Sequence, residues 1–272
     1  MEFLTIFLSG LLALIAPVGF VADRVIENAL RSRFENIEQL QVRVDNAPSY
    51  QLLQGKVERV RVAGRGVHLT PDLRLAVLEL ETDPINLDLQ SLRQGRQQSA
   101  TAAFRQPIQA GVRLVLTQED INQAIQSPAI AARLKQVTSR IISVPEERFE
   151  LRNSQVELLG DNRLRFQVQL VQDNAEPVSL SLESGIGIVS GRSIQLIEPV
   201  ASVNGTALPP QLVAGFAAGA GNRFNLRSLE EAGIAARILD LDITDNQLEI
   251  AAFVRADAAR ASTASPEVKL EP

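Results

Sequence analysis

Cysteine and tryptophan are absent from this chain of 272 residues, and histidine and tyrosine occur once each, as His68 and Tyr50. Without cysteine the protein has no disulfide, no thiol nucleophile and no zinc–sulfur site. One histidine excludes every mechanism that needs a pair of them. Aromatic residues make up 4% of the chain and hydrophobic residues 45%, so aliphatic side chains must fill the interior. Such side chains line apolar cavities as readily as they fill them.

Acidic residues outnumber basic ones, giving a formal net charge of −5, which argues against a general nucleic-acid binder. Positive charge is nevertheless concentrated locally. Residues 55–71 contain four basic side chains and one acid, and residues 89–118 contain arginines and no acid. Basic residues beside apolar surface suit anionic lipid headgroups, at about 1 kcal/mol each. We predict headgroup contacts at Lys56, Arg59, Arg61, Arg93 and Arg96, the alternative being ordinary solvated strand faces.

The N-terminal segment has no charge from residue 3 to residue 22, a length that spans about 30 Å of hydrocarbon as a helix. It could span a membrane, be a cleaved secretory signal, or form a buried or interfacial helix. A signal needs a basic start and small residues before the cleavage site, whereas this chain begins Met1-Glu2 and offers Leu14 or Phe20 at position −3. Pro17 would kink or end a spanning helix. We expect residues 1–22 to be an uncleaved membrane-seeking segment.

Alternation of apolar and polar residues predicts strands along most of the remaining chain. The pattern holds at residues 40–44, at 55–69 with interruptions at Gly64 and Gly66, at 73–80 with a change of parity after Val77, at 85–89 and at 108–116. Two hairpins follow, turning at residues 160–162 and 190–192, and residues 236–254 form a last hairpin. Asn204-Gly205 is a further turn signal.

Helices are predicted at three places between these strands. Thr117 and Asp120 have the spacing of a capping box, and a second helical pattern follows Pro128. A third helix is expected to start at Pro209-Pro210. The fold class is therefore α+β, with long antiparallel strands, a few helices and no strand–helix alternation. We expect a single domain over residues 23–255 and a flexible tail over residues 256–272, rich in alanine, serine, proline and glutamate.

Catalytic and metal-binding patterns are lacking in the sequence. His68 lies in a glycine-rich strand end with no obvious acidic partner nearby. The glycine pairs at 64–66 and 185–187 lack the third glycine and following helix of a dinucleotide fingerprint, and residues 240–246 lack the glycine of a calcium loop. We predict that the protein is not an enzyme and uses no metal or cofactor. A lipid hydrolase would need a serine or aspartate within reach of His68.

Three stretches of sequence resemble the LmeA-type phospholipid-binding family. They are YQLLQGKVERVRVAGRGV at 50–67, LTQEDINQAI at 116–125, and LPPQLVAGF at 208–216 continuing through 225–253. The resemblance implies a fold similar to the tubular lipid-binding (TULIP-like) domains, in which a curved antiparallel sheet wraps around helices and leaves an apolar groove for acyl chains. It also implies an envelope or membrane-proximal role without enzymatic activity. It carries over no catalytic or ligand-binding residue.

The residues and the resemblance together predict a membrane-associated phospholipid carrier that favours anionic lipid. The alternative is a membrane-anchored assembly module with a fully packed core. The side of the membrane stays open, since the resemblance implies the periplasm and the arginines that follow residue 22 favour the cytoplasm. We predict that the groove is lined by Leu75, Val77, Leu114, Leu116, Val168, Leu170, Leu180 and Leu182.

Overall fold

The computed structural model describes residues 31, 36–46, 49–87, 104–142, 145–172, 175–221, 226–230 and 233–257. The predicted N-terminal segment, Arg93, Arg96 and residues 258–272 of the predicted tail lie outside the described residues. The strands are β1 (Asn36–Asp45), β2 (Lys56–Val57), β3 (Arg59–Thr70), β4 (Leu73–Thr82), β5 (Ile85–Asn86), β6 (Ile108–Thr117), β7 (Glu150–Gly160), β8 (Arg163–Val171), β9 (Val178–Val189), β10 (Ser193–Val203), β11 (Thr206–Ala207), β12 (Ile234–Ile243) and β13 (Gln247–Ala256). The helices are α1 (Gln118–Gln126), α2 (Pro128–Ile142), α3 (Pro210–Gly221) and α4 (Arg227–Glu230), with 3-10 turns at Ser49–Gln54 and Glu146–Arg148.

The strands form two main antiparallel sheets. The six-stranded sheet has the order β1-β3-β4-β6-β13-β12, and the five-stranded sheet has the order β11-β10-β9-β8-β7. Strands β2 and β5 make a separate pair. The α+β class and the antiparallel pairing are thus confirmed. In place of the one long sheet that we expected, the strands form two sheets, and the turns of the β7–β8 and β9–β10 hairpins bond to the edge strand β12.

The six-stranded sheet has one apolar face and one charged face because side chains alternate along each strand. Val62, Leu80 and Val112 lie side by side on neighbouring strands and are all buried. We call their side the inner face. The intervening residues Arg61, Glu81 and Arg113 point to the other side, which we call the outer face. The predicted change of parity in β4 is confirmed, since Leu75, Leu78 and Leu80 are all buried.

Two tight turns join the five-stranded sheet to the edge strand β12. Asp161 and Asn162 both have positive φ, as do Ser190 and Gly191, the backbone of the type I′ turns that fit the twist of hairpins. The main-chain N–H of Ile238 donates to the carbonyl of Gly191 at 2.7 Å. The Asn162 side chain accepts from the N–H of Ile243 at 2.7 Å. The predicted hairpin turns therefore also connect the two sheets.

The predicted helix starts are confirmed. The hydroxyl of Thr117 accepts from the N–H of Asp120 at 3.1 Å and the Asp120 carboxylate accepts from the N–H of Thr117 at 3.0 Å, which is the capping box of α1. α2 begins at Pro128 and α3 at Pro210. The prediction of a strand interrupted at Gly64 and Gly66 is wrong, because β3 runs unbroken from Arg59 to Thr70. Gly66 takes positive φ inside the strand, where a Cβ would collide with Glu38.

Candidate functional site

The apolar interior consists of two clusters that differ in how completely they are covered. The closed cluster contains twenty buried and six half-buried hydrophobic residues, mostly from the six-stranded sheet. The open cluster contains five buried residues and ten half-buried ones. Among the described residues, therefore, the second cluster is the incompletely covered one. Its buried members are Val156, Leu158, Ile238, Leu241 and Ile243, and its half-buried members are Ile121, Ile125, Leu164, Phe166, Ile186, Ile188, Ile194, Leu226, Leu248 and Ile250.

The open cluster crosses the junction between the two sheets. On the five-stranded side Phe166 lies between Val156 and Leu182 on neighbouring strands, and Ile188 lies opposite Ile194. On the six-stranded side Ile250 lies opposite Leu114 and Leu248 opposite Leu116. Apolar side chains from seven elements thus form one surface that is only partly shielded from water. A long apolar ligand is the chemistry that such a surface accepts.

Helix α1 forms one wall of the open cluster and is held against the edge strand β7 by two amide side chains. Asn122 donates from Nδ2 to the carbonyl of Val156 at 2.8 Å and accepts from the N–H of Val156 at 2.7 Å. Gln118 accepts from the N–H of Leu158 at 2.8 Å. These contacts satisfy backbone groups that an edge strand otherwise leaves open. They also fix Ile121 and Ile125, the members of the open cluster on the same helix.

A partly buried ion pair anchors the start of α1. The Arg74 guanidinium donates to the buried Asp120 carboxylate at 2.9 Å and to Glu38 at 3.0 Å. These acids raise the pKa of Arg74, with the Asp120 hydrogen bond as the largest cause. Asp120 thus serves both the capping box and the link from α1 to β4. Hydrogen bonds therefore tie α1 to β4 of the six-stranded sheet and to β7 of the five-stranded sheet.

Ion-pair networks lie on the outer face of the six-stranded sheet and on the face of the five-stranded sheet that points away from Phe166 and Leu182. Arg113 bridges Glu249 and Glu79 across three strands, and the hydrogen bond from Arg113 lowers the pKa of Glu249. On the five-stranded sheet Arg163 and Arg165 share Glu183, at 2.9 and 3.0 Å. The hydrogen bond from Arg163, followed by that from Arg165, lowers the pKa of Glu183. These ion pairs lie outside the open cluster.

A shallow cleft of about 540 Å³ lies on the outer face of the six-stranded sheet. Its floor includes the small residues Ala63, Gly111 and Ala251, and Arg61 and Arg113 stand at its sides. Both arginines are engaged by carboxylates, Arg61 by Glu81 and Asp45 and Arg113 as described above. The positive charge of this cleft is therefore largely balanced within the protein.

The predicted groove residues divide into several environments. Leu75 is buried in the closed cluster, and Val77 is half-buried on the face opposite Leu78. Leu114 and Leu116 are half-buried and lie across from the open cluster. Val168 and Leu170 are buried, while their strand partners Leu180 and Val178 are half-buried. Leu182 is half-buried beside Phe166. Sequence reasoning missed Phe166, Ile186, Ile188 and Ile194, whose alternation in β8 to β10 was the available signal.

Two of the predicted headgroup residues, Arg59 and Arg61, do not lie beside the predicted groove residues Leu114 and Leu116. Arg59 and Arg61 are on the outer face, where Arg59 contacts Glu81 at 2.9 Å and Arg61 contacts the same carboxylate at 3.3 Å. Lys56 is exposed on β2. Leu114 and Leu116 point to the inner face. The six-stranded sheet therefore separates Arg59 and Arg61 from Leu114 and Leu116, while Arg93 and Arg96 lie outside the described residues.

His68 lies near the end of β3. Its Nδ1 atom is buried and makes no hydrogen bond within the described part of the chain. Over the same residues, no group of three or more histidine, aspartate or glutamate side chains is placed to hold a metal ion. Nor does any helix there have the length and apolar character needed to cross a membrane.

Comparison with known families gives a match over most of the chain. The model of the LmeA-like phospholipid-binding family covers residues 15–253, which includes both sheets, α1 and α3. The chain belongs to the LmeA-like phospholipid-binding family. No curated protein and no solved structure matches the chain.

The stretches of sequence that resemble the LmeA-like family have structural roles in this fold. In LTQEDINQAI, Thr117 and Asp120 cap α1, while Gln118 and Asn122 bind the backbone of β7. The stretch that begins at Leu208 forms α3, which packs on β10. These stretches place α1 and α3 beside the five-stranded sheet, and α1 contributes Ile121 and Ile125 to the open cluster.

Proposed function

We propose that this protein is a membrane-associated, non-catalytic phospholipid-binding protein in which acyl chains lie against the open cluster. The observation that carries the proposal is the ratio of half-buried to buried hydrophobic residues there, ten to five. Ten partly exposed apolar side chains around five buried ones give an apolar surface against which an acyl chain can lie. Membership of the phospholipid-binding family supports the same ligand class.

The energetics favour acyl chains over small polar ligands. Burial is worth about 0.8 kcal/mol for each CH₂ group, so a long chain gains ample affinity without any specific polar contact. The ligand would also cover the half-buried side chains of Phe166, Ile186 and Ile188. Both partners therefore lose apolar surface to water, and affinity should rise with chain length.

Headgroup recognition at Lys56, Arg59, Arg61, Arg93 and Arg96 stays a prediction. Exposed ion pairs such as Arg61 with Glu81 are worth only about 0–1 kcal/mol, so an anionic phosphate can replace the carboxylate. Arg61→Gln is expected to reduce the preference for anionic over zwitterionic lipid while leaving the amount of bound lipid unchanged. Loss of the bound lipid itself would instead assign Arg61 a structural role.

The test is native mass spectrometry with organic extraction on the full chain, purified under mild conditions. We expect phospholipid near one molecule per chain. Leu164→Trp fills the open cluster and should lower that occupancy, whereas Leu159→Trp, on the same hairpin but outside the cluster, should not. Circular dichroism checks that both variants keep the sheet structure.

A lipid-free protein that stays lipid-free after incubation with liposomes would contradict the proposal. The alternative function, a membrane-anchored assembly module, would then account for the fold. Equal lipid occupancy in Leu164→Trp and the parent would show that the ligand binds somewhere other than the open cluster.

A further inference from the structure

Three charged side chains meet where the β9–β10 turn reaches the edge strand β12. Arg192 lies in the turn, Arg237 lies on β12, and Glu230 is the last residue of α4. Nη2 of Arg237 is 3.1 Å from Oε1 of Glu230, and Nη2 of Arg192 is 3.6 Å from the same oxygen. We call these three residues the junction triad. Its two guanidinium groups and one carboxylate leave a formal charge of +1.

The backbone contacts of Arg192 place it at one end of the open cluster. The N–H of Leu226, a half-buried member of the cluster, donates to the carbonyl of Arg192 at 2.8 Å. Ile194 follows Arg192 by two residues and lies opposite Ile188, and both isoleucines belong to the cluster. The turn that carries Arg192 therefore closes the strand pair that contributes these apolar side chains.

Arg237 is held beside the same turn. It directly precedes Ile238, a buried member of the open cluster, whose N–H donates to the carbonyl of Gly191 at 2.7 Å. A Cβ on Gly191 would lie 3.5 Å from Cδ of Arg237, so the arginine stem runs close to the turn. Nη1 of Arg237 also donates to the carbonyl of Ala236 at 2.7 Å. These contacts fix the Arg237 guanidinium next to the turn residue Arg192.

The Arg192 guanidinium is not engaged in the way that the arginines of β8 are. Its distance of 3.6 Å from Glu230 is too long for a hydrogen bond, and it donates no other hydrogen bond within the described part of the chain. Arg163 and Arg165, by contrast, donate to glutamates at 2.7–3.0 Å. The Arg192 side chain is 38% exposed, so its N–H donors are open to a ligand.

We propose that the junction triad binds the phosphodiester group of the phospholipid whose acyl chains lie against the open cluster, and that Arg192 contacts the phosphate. This inference rests on the proposed function and adds the polar part of the ligand, which an apolar surface cannot recognise. The site is separate from the predicted headgroup residues on β2 and β3.

Charge and donor geometry both suit a phosphodiester. This group carries one negative charge, which equals the formal positive charge of the triad. A planar guanidinium presents paired N–H donors to phosphate oxygens, and Glu230 keeps Arg237 oriented while the phosphate binds Arg192. The phosphodiester is common to all glycerophospholipids, so the site distinguishes them from a diacylglycerol with the same acyl chains.

The test is a competition between two lipids with identical acyl chains. The full-length protein is exchanged against an equimolar mixture of phosphatidylglycerol and diacylglycerol in detergent micelles, and the bound lipids are counted by extraction and mass spectrometry. We expect the parent to favour phosphatidylglycerol and Arg192→Gln to reduce the ratio of bound lipids about tenfold. Arg192→Lys keeps the charge but loses the paired donors, and should give an intermediate ratio.

Arg152→Gln is the matched control. Arg152 also pairs with one acid, Glu150 at 2.8 Å, but it lies at the opposite end of β7 from the turn at 161–162. Its ratio of bound lipids should equal that of the parent. Calorimetry with inorganic phosphate separates lipid phosphate from a soluble ion, and we expect no heat of binding at millimolar concentration.

Four outcomes overturn the phosphate site. An unchanged ratio in Arg192→Gln would refute it and leave acyl-chain binding intact. Loss of both lipids in Arg192→Gln would assign Arg192 a structural role. Heat with inorganic phosphate that Arg192→Gln abolishes, together with an unchanged lipid ratio, would assign the site to a soluble phosphate. A parent that binds neither lipid would refute the proposed function as well.

Discussion

Replacement of Asn122 by alanine gives the sharpest test of how the helix wall is held. The Asn122 side chain makes two hydrogen bonds with Val156, at 2.7 and 2.8 Å, and Val156 is 7% exposed. Asn122→Ala leaves the N–H and C=O of that residue without partners. An unsatisfied buried group costs about 1–3 kcal/mol. Because Asn122 is itself half-buried, water can hydrogen-bond to the freed Val156 groups. This recovers part of the lost free energy of unfolding.

The net effect follows from two opposing terms. Alanine is a better helix former than asparagine by up to about 0.7 kcal/mol, which offsets some of the lost hydrogen bonding. We expect the free energy of unfolding to fall by about 2 kcal/mol, which lowers the urea midpoint by about 1 M. Gln123→Ala changes an exposed neighbour on the same helix and should stay within about 0.5 kcal/mol of the parent.

Hydrogen exchange provides the second readout for Asn122→Ala. The amides of Val156 and Leu158 should exchange faster than in the parent, while amides in the centre of the six-stranded sheet should not. A urea midpoint equal to that of Gln123→Ala would refute the reasoning. So would unchanged protection at Val156, because the side chain would then not be its partner.

Three further predictions concern the ion pairs and the sheet junction. Arg74→Met leaves the buried Asp120 without its guanidinium and should cost about 2–3 kcal/mol in urea unfolding. The Arg163 and Arg113 hydrogen bonds lower the pKa values of Glu183 and Glu249, so their stabilisation is present above about pH 4.5 and is lost as the pH falls through the folded pKa values. Urea titrations at pH 7 and about pH 3.5 should show the loss, and Glu183→Gln should make it smaller. Gly191→Ala should lower the unfolding temperature, because a left-handed backbone costs alanine about 1–2 kcal/mol and its Cβ would lie 3.1 Å from the Ile238 carbonyl.

Local features of this fold were predictable because their causes lie in adjacent residues. The turns at 161–162 and 190–191 need residues that tolerate positive φ, and aspartate, asparagine and glycine occur at three of those four positions. The capping box of α1 is likewise contained in Thr117 and Asp120. Such features identify hairpins and helix starts without any knowledge of the tertiary structure.

The meeting of the two sheets was not predictable from pattern. Nothing near Asn162 in sequence indicates that its amide binds the backbone of Ile243, or that Asn122 binds Val156. The alternation in β4 and β6 identifies apolar positions but does not tell a closed core from an open one. For the same reason the predicted groove set mixes Leu75, which is buried, with Leu182, which is half-buried.

The headgroup residues were predicted from the density of basic side chains in the sequence, and strand pairing gives Arg59 and Arg61 acidic partners that the sequence does not show. Arg61 lies opposite Glu81 because β3 and β4 are antiparallel with that register. A cluster of basic residues in sequence can therefore be a balanced network in space. The acids that balance it come from another strand.

Photocrosslinking locates the bound acyl chain most directly. The full chain would be loaded with a phospholipid carrying a diazirine near the end of one acyl chain, irradiated, and mapped by peptide mass spectrometry. The account predicts labels at members of the open cluster, on α1 and on β8 to β10, including Phe166 and Ile188. Labels confined to the outer faces, at Arg61 or around Ala251, would contradict it.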